Sequence, residues 1–480
     1  MRPVIYILSF LALPVLGGLF SGIDVMKNVL VRKAPQNTTY TEPKEPDFAA
    51  SWNGRPENGR SGRRNSDAPK TGSKRIVFLL ATHGNSVGET LISYEILNTA
   101  RDPHGRHAEI LLVGPERRLT ITTGGLAILA DVTVERWDRL QPDWTDAIVV
   151  PSSLDASEPG AQHFLKSEAA HTKHLLLIGD GVFVGARAGL LKGRTLTSHR
   201  LSERAAIRGF PEIQWRYDQR VYRSRTDSVA EPFEVISSAG VLGAVDGALA
   251  LVESLYGANE RTRVTDELGL KAFLEKTQRH ALNLTDTAAT LLTAAYHSER
   301  AHFGIAVGPQ TRPAGLAMAL EVLPRSLDAL TVTFSETAGF VTMGGLTLLP
   351  EITWSELPKV DALLLTPLKD ANTSTLETFR KRLVDQAHDF KASFFDLSDR
   401  DLAHEKTALV DTLRDTLNRS VFLGKLGSRQ IEGRLARTAE LADQGLQTMP
   451  SSLSLRAAIT ALFLGLTGLG IALLTRSSRA

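Results

Sequence analysis

The sequence has no cysteine among its 480 residues. Disulfides, thiolate metal sites, iron–sulfur clusters and a cysteine nucleophile are therefore excluded. An excess of charge of one sign is also lacking, because 55 Lys and Arg stand against 53 Asp and Glu, a net charge of +2. A dedicated nucleic-acid-binding protein needs a basic excess to neutralise phosphates, so no nucleic-acid partner is predicted. Aromatic residues make up only 6%, but 42% of the residues are hydrophobic, which is the composition of a globular chain.

Charged side chains are missing altogether from two segments, residues 3–23 and 457–475. A membrane-spanning helix needs about 20 apolar residues, and both segments are long enough. We expect an N-terminal transmembrane anchor in residues 1–24, with a cleaved signal peptide or a buried helix as alternatives. We also expect a C-terminal transmembrane helix in residues 456–476. The lipid bilayer is thus a predicted partner, and the predicted location is a bacterial inner membrane with the large middle portion outside the cytoplasm.

The composition changes along the region between these segments. Residues 25–73 are rich in proline and polar residues, which predicts a flexible linker. From residue 74, short apolar runs alternate with stretches of helical spacing such as 88–100. Such alternation predicts an α/β domain in which helices cover a parallel sheet. The apolar runs predicted to be strands are 74–81, 107–114, 145–151 and 173–180.

A second, degenerate copy of this pattern follows in the chain. TTGGLAILADVTVERW (122–137) matches TMGGLTLLPEITWSEL (342–357), and TDAIVVP (145–151) matches VDALLLTP (360–367). A repeat of domain size indicates duplication. The predicted organisation is a first domain at 74–257, a helical connector at 258–300, a degenerate second domain at 301–400 and a helical region at 401–455.

Two long motifs carry a resemblance to a known family. GDGVFVGARAGLLKGRTLTSH (179–199) resembles the PfpI/DJ-1 superfamily, the class I glutamine-amidotransferase-like fold. SSAGVLGAVDGALALVESLYG (237–257) is most similar to the subgroup found in AraC-type regulators, although no helix-turn-helix domain follows here. The resemblance implies a flavodoxin-like parallel sheet sandwiched by helices and, with the repeat, a duplicated one.

The resemblance also implies where a catalytic site would lie. In catalytic members the nucleophile is a cysteine on a strained turn between a strand and a helix, and the matching position is Gly179. Glycine has no side chain that could attack a substrate, so the turn is interpreted as degenerate. The neighbouring Asp180 is a weaker alternative as nucleophile or ligand.

Other positions match the surroundings of that nucleophile. Glu89 matches an acidic residue beside the cysteine and is either a pocket contact or a first-turn helix residue. His199 matches a histidine of the family, or is simply structural, and His83 follows the first strand. Ser152 and Ser153 replace a glycine pair whose amides help to bind an oxyanion. The pocket candidates are therefore His83, Glu89, Ser152, Ser153, Gly179, Asp180 and His199. No metal is predicted, because these residues lack the spacing of metal ligands, and no cofactor is predicted either.

The second copy has lost these positions. Gly315 stands at the place of Glu89, Leu368 and Lys369 stand at the places of the two serines, and Leu397 or Ser398 lies near the turn. We interpret this copy as a structural or pairing domain that packs on the first copy within the chain.

Three functions remain open from the sequence. The leading hypothesis is a membrane-anchored, non-catalytic PfpI/DJ-1-like protein that binds a small molecule or a membrane protein partner in a sensory or regulatory role. An alternative is a hydrolase or glyoxalase-like enzyme that uses a residue other than cysteine. A further alternative is a membrane scaffold without a small-molecule site.

Overall fold

The computed structural model describes the central part of the chain. The predicted membrane segments and the region 401–455 lie outside it, as do most of the linker and of the connector. Within the described part, no helix combines the length and the apolar character needed to cross a membrane. The described residues are 41–45, 74–140, 145–153, 155–199, 202–225, 233–271, 300–325, 329–369 and 374–398.

The first half of the described chain alternates strands and helices, as expected for an α/β fold. Its strands are β1 (Arg75–Leu79), β2 (His83–Asn85), β3 (Glu109–Gly114), β4 (Leu119–Thr122), β5 (Ala127–Leu129), β6 (Val132–Thr133), β7 (Thr145–Val150), β8 (Thr172–Ile178), β9 (Thr195–Leu196), β10 (Gln214–Trp215), β11 (Val221–Ser224) and β12 (Glu234–Ser238). Its helices are α1 (Val87–Thr99), α2 (Val134–Leu140), α3 (Pro159–Glu168), α4 (Val182–Arg187), α5 (Glu203–Gly209), α6 (Gly240–Tyr256) and α7 (Ala258–Glu267).

Seven of these strands form the main sheet, in the order β11-β12-β8-β7-β1-β3-β6. All neighbouring pairs are parallel except β11 with β12. Helices cover both faces, because alternate residues of the central strand enter two separate cores. Ile76 and Phe78 pack with α1 and α6, whereas Val77 and Leu79 pack with α2, α3 and α4. The predicted parallel sheet between helix layers is confirmed.

The second half repeats this plan on a smaller scale. Its sheet has the order β17-β14-β13-β18-β19, and every neighbouring pair is parallel. The elements are β13 (Ala301–Ala306), α8 (Pro313–Arg325), β14 (Ala329–Ser335), β15 (Val341–Met343), β16 (Leu346–Leu349), β17 (Ile352–Thr353), β18 (Ala362–Leu365), α9 (Ser374–Phe390) and β19 (Ser393–Asp396).

A third sheet, β15-β16-β5-β4-β2, contains strands of both halves. Its central pair joins β5 to β16 in antiparallel register, with Leu129 opposite Thr347 and Ile128 opposite Leu348. The two hairpins in this sheet come from the repeated segment with the GGL motif. Next to the sheet, α1 packs on α8, and one continuous apolar core includes residues of both helices.

Two glutamates reinforce the contact between α1 and α8. Glu95 of α1 accepts a hydrogen bond from the Ala314 N–H in the first turn of α8, at 2.7 Å. Glu321 of α8 accepts one from the Gly88 N–H in the first turn of α1, at 2.8 Å. Both glutamates are buried. Each therefore supplies a negative charge to the N-terminus of the other helix, where free N–H groups and the helix dipole favour it.

Candidate functional site

The candidate site lies at the carboxyl edge of the main sheet, where the chain leaves β1, β7 and β8. Ligands of open parallel sheets bind at this edge. Glu89 enters it from the first turn of α1, whose N-cap is Ser86. The Ser86 hydroxyl accepts the Glu89 N–H at 3.4 Å. Glu89 has no exposed surface. Glu89 is therefore a first-turn helix residue that faces the turn at Gly179, and its role as a pocket contact stays a prediction.

Gly179 forms a sharp turn between β8 and α4. Its φ is +53°, in the left-handed region that an L side chain adopts only with strain. A Cβ built there would overlap the Ser152 hydroxyl and would lie 2.7 Å from Glu89 Oε1. The turn therefore has no nucleophilic side chain, and the space in front of it is occupied by Ser152 and Glu89.

Ser152 holds this arrangement together from the end of β7. Its backbone N–H donates to Glu89 Oε2 at 2.7 Å, and its hydroxyl accepts the Asp180 N–H at 2.8 Å. The same hydroxyl donates to the Ile178 carbonyl at 3.3 Å. The backbone amide that follows the turn is thus already bonded to a side chain of the protein, and it has no N–H left for a substrate oxyanion.

Burial raises the pKa of Glu89 to about 7. Its hydrogen bonds from Ser152 act in the opposite direction, and the nearby carboxylates of Asp180 and Glu321 raise the pKa further. Oε1 of Glu89 has no hydrogen-bond partner among the described residues. Burial therefore favours the protonated carboxyl up to a pH of about 7, since protonation avoids an uncompensated charge in the interior.

Asp180 is a second carboxyl with altered acidity. Burial raises its pKa to about 6, although the Ser202 hydroxyl donates to its Oδ2 at 2.9 Å and lowers the pKa. Its Oδ1, like Glu89 Oε1, has no partner within the part of the chain that the structure describes. The site thus holds two neighbouring carboxyls, both of which resist ionisation.

The remaining candidates are divided between this site and the surface. His199 is buried, and its carbonyl accepts the N–H of Ser202, the residue that bonds Asp180. Ser153 is half-buried beside Ser152. The His83 ring is exposed, and Arg117 Nη2 donates to its Nε2 at 3.1 Å. His83 is therefore placed with the surface rather than with the buried carboxyls.

One contributor was missed by sequence reasoning. Glu321 reaches the N-terminus of α1 from the second half, close enough to influence the acidity of Glu89. The signal was present in the repeat, because TLISYEIL (90–97) and LAMALEVL (316–323) carry Glu95 and Glu321 at the same position. The shared role of the two glutamates depends on the packing of α1 on α8, which the sequence does not show.

The counterpart positions of the second half build no similar group. A Cβ on Gly315 would lie 2.9 Å from the ring of Pro367, Leu397 is buried, and the Ser398 hydroxyl accepts from Arg380 at 2.6 Å. Within the residues that the structure describes, no group of three or more His, Asp or Glu is arranged to hold a metal ion.

Comparisons with known proteins give structural neighbours only. A scan against models of protein families finds no match, and no curated protein matches. A crystal structure of Drosophila melanogaster DJ-1beta has a TM-score of 0.34 and 21% identity, and the match covers 41% of this chain and 97% of that one.

Two bacterial structures are similar to the same extent. An AraC family transcriptional regulator from Pseudomonas putida has a TM-score of 0.34 and 20% identity, over 41% of this chain and 99% of the other. A ThiJ/PfpI family protein from Pseudomonas syringae has a TM-score of 0.35 and 23% identity, over 42% of this chain and 76% of the other. At such identities and scores these likenesses assign no activity. The three structures named above are a DJ-1 protein, an AraC family regulator and a ThiJ/PfpI family protein.

Proposed function

We propose that this chain is a membrane-anchored, non-catalytic PfpI/DJ-1-like protein that binds a small molecule or a membrane protein partner in a sensory or regulatory role. The observation that carries the proposal is the turn at Gly179, where there is no side chain and where the Ser152 hydroxyl fills the adjacent space. Nucleophilic catalysis needs a reactive side chain and donors that are free to bind developing charge. This turn offers neither.

The enzyme alternative has one observation in its favour. Glu89 and Asp180 have raised pKa values of about 7 and about 6, and perturbed carboxyls are frequent in active sites. A general acid or base must reach the proton that it transfers. Glu89 is fully buried behind Ser152, so its altered acidity is better explained by burial in the interior than by contact with a substrate.

Membrane anchoring is supported by the uncharged segments 3–23 and 457–475, each of spanning length. Two spans would place the domains between them on one side of the membrane. The proposed location is the bacterial inner membrane with these domains outside the cytoplasm. Cleavage at accessible sites in right-side-out and inverted vesicles would test the orientation.

Internal pairing of the two copies is part of the proposal. It is supported by the β5–β16 strand pair and by the helix caps that α1 and α8 exchange through Glu95 and Glu321. A second copy that binds in this way takes the place that a second chain would fill in a homodimer. The chain then needs no partner of its own kind to cover this face.

The test of non-catalysis is a turnover assay of the full chain in detergent with methylglyoxal and with an activated ester. We expect rates equal to those of buffer for the native chain and for Glu89→Gln, Asp180→Asn and His199→Ala. Saturable turnover that one of these substitutions removes would contradict the proposal. Ser153→Ala is the matched control, because it alters the same site without removing a titratable group.

A further inference from the structure

A cavity of about 670 Å³ opens between the two halves, away from the turn at Gly179. The end of α1 and the residues after it line one side, including Glu95 and Arg101. The loop before α8 and the loop after β18 line the other side, including Arg312 and Lys369. A volume of this size is in the range of sites that enclose a small molecule.

The cavity lies beside the carboxyl ends of β13 and β18 in the second sheet. From β13 the chain passes to β14 on one side, and it later returns to β18 on the other side of β13. This is the point at which the strand order reverses, and open parallel sheets bind ligands outside the carboxyl ends of the strands at such a point. The loop that follows β13 supplies Thr311 and Arg312, and the loop that follows β18 supplies Lys369. The same edge of the first sheet is filled by Glu89 and Ser152.

The cavity lining has a small excess of positive charge, because Arg101, Arg312 and Lys369 face only the two carboxylates of Glu95 and Glu267. Arg312 donates from Nε to Glu95 Oε1 at 2.7 Å and from Nη2 to the same oxygen at 2.6 Å. A guanidinium has five N–H donors, so this pair fixes its orientation and leaves three donors for other acceptors. Lys369 is exposed, and among the described residues no ion pair engages its ammonium group. Arg101 adds a further cation on the opposite wall, 3.8 Å from Glu267.

We propose that this cleft between the halves binds a small molecule with an oxyanion group, a carboxylate or a phosphate, which Lys369 and Arg312 contact. The inference deepens the proposed function by naming where a small molecule binds and which chemistry it carries. The inference rests on the proposed function because it treats the chain as a binding protein. It does not depend on the Gly179 turn, since none of the residues there lines the cleft.

The test is isothermal titration calorimetry of the full chain in detergent with citrate, with inorganic phosphate and with glycerol as a neutral probe. We expect saturable binding of citrate, of phosphate or of both, and none of glycerol. Binding of only one anion identifies the carboxylate or the phosphate as the source of the oxyanion. Lys369→Gln should weaken binding roughly tenfold or more, because the variant loses a hydrogen bond between two charged groups.

Two variants make the result decisive. Lys381→Gln removes the same charge from an exposed position on α9 outside the cavity lining, and it should leave the affinity unchanged. Lys369→Arg keeps the charge and should retain binding. Absence of saturable binding tighter than roughly 1 mM for both anions, or equal affinities of native chain and Lys369→Gln, would overturn the proposal. Such a result would leave the absence of catalysis at Gly179 untouched, because that is measured by turnover.

Discussion

Glu95 of α1 and Glu321 of α8 each accept an N–H from the first turn of the helix that carries the other. The donors also correspond, because Gly88 and Ala314 each lie seven residues before the glutamate of their own helix. A reciprocal contact of this kind between two helices has an approximate two-fold symmetry, as in an isologous dimer. The two halves of this chain meet in that way through α1, α8 and the shared sheet.

The reciprocal caps should contribute measurably to stability. Loss of a cap typically costs about 0.5–2 kcal/mol, and a buried donor that loses its partner costs about 1–3 kcal/mol. Glu321→Ala and Glu95→Ala should each lower the free energy of unfolding by an amount in this range. Glu95→Ala should lower the free energy of unfolding more than Glu321→Ala does, because it also leaves Arg312 without its carboxylate. Denaturant unfolding followed by circular dichroism measures the effect.

The control for this experiment is Glu377→Ala. The Glu377 side chain is 69% exposed and pairs with Arg380 at the surface, so its removal should change stability by less than about 1 kcal/mol. A loss at Glu95 or Glu321 no larger than at Glu377 would show that the caps do not stabilise the contact between the halves.

The absence of cysteine makes the β5–β16 pair directly testable. Leu129 and Thr347 are opposite each other in antiparallel strands, where Cα atoms lie about 4.5–5.5 Å apart and a disulfide can form. Leu129→Cys combined with Thr347→Cys should therefore give an intrachain disulfide on mild oxidation, seen as a mobility shift and a mass loss of two hydrogens. Leu129→Cys with Leu364→Cys, in a different sheet, is the control and should stay reduced.

The molecular mass of the oxidised product separates two arrangements. An intrachain bridge is expected if the copies of one chain pair with each other. A disulfide-linked dimer would show instead that β5 of one chain pairs with β16 of another, which contradicts internal pairing.

The stability of the protein should depend on pH through Glu89. Its pKa is raised from its ordinary value of 4.5 to about 7 by burial, so the folded state binds more protons than the unfolded state between these pH values. Stability must therefore fall as the pH rises from about 4.5 to 7, and it changes no further above that range for this group. Asp180, raised from 3.8 to about 6, acts in the same direction over a lower range.

Glu89→Gln removes the larger part of this dependence while keeping an acceptor for the Ser152 N–H. We expect the variant to be more stable than the native chain at pH 8 and to lose this advantage towards pH 4.5. Thermal unfolding at a series of pH values measures it, with Ser153→Ala as a control whose pH dependence follows the native chain. A native-like pH dependence of Glu89→Gln would mean that Glu89 does not stay protonated in the folded protein.

The central architecture could be predicted from the sequence because its signals are local. The run RIVFL of β1 is buried on both faces of the sheet, and a continuous apolar run is what such a strand requires. The helix predicted at 88–100 begins and ends within one residue of α1. Ser86 provides the N-cap at its start. The membrane segments, the C-terminal helical region and most of the connector lie outside the described residues and stay predictions.

The details of the site depended on contacts between distant segments. Glu89, Ser152 and Gly179 were each identified from the resemblance, but their spacing along the chain does not show that the Ser152 hydroxyl fills the turn. The position of His83 directly after β1 predicts that it joins them, yet the β2 strand that contains it pairs with β4 and leaves the ring at the surface. Glu321 lies more than two hundred residues from Glu89 and could be found only through the packing of α1 on α8.

The most direct test of the account is a double-mutant cycle between Gly179 and Ser152, measured as free energies of unfolding. Gly179→Ala should cost about 1–2 kcal/mol for the left-handed backbone and about 1–3 kcal/mol for overlap with the Ser152 hydroxyl. Gly189→Ala, at φ +79° with nothing within 4 Å of the added Cβ, should cost the backbone part alone.

If the Ser152 hydroxyl fills the turn, Ser152→Gly will relieve the overlap, and the cycle with Gly179→Ala will show a favourable coupling of about 1 kcal/mol or more. The same cycle with Gly189→Ala will be additive. Additive free energies for Gly179 and Ser152 would contradict the account, because they would mean that the Ser152 hydroxyl does not occupy the space in front of the turn.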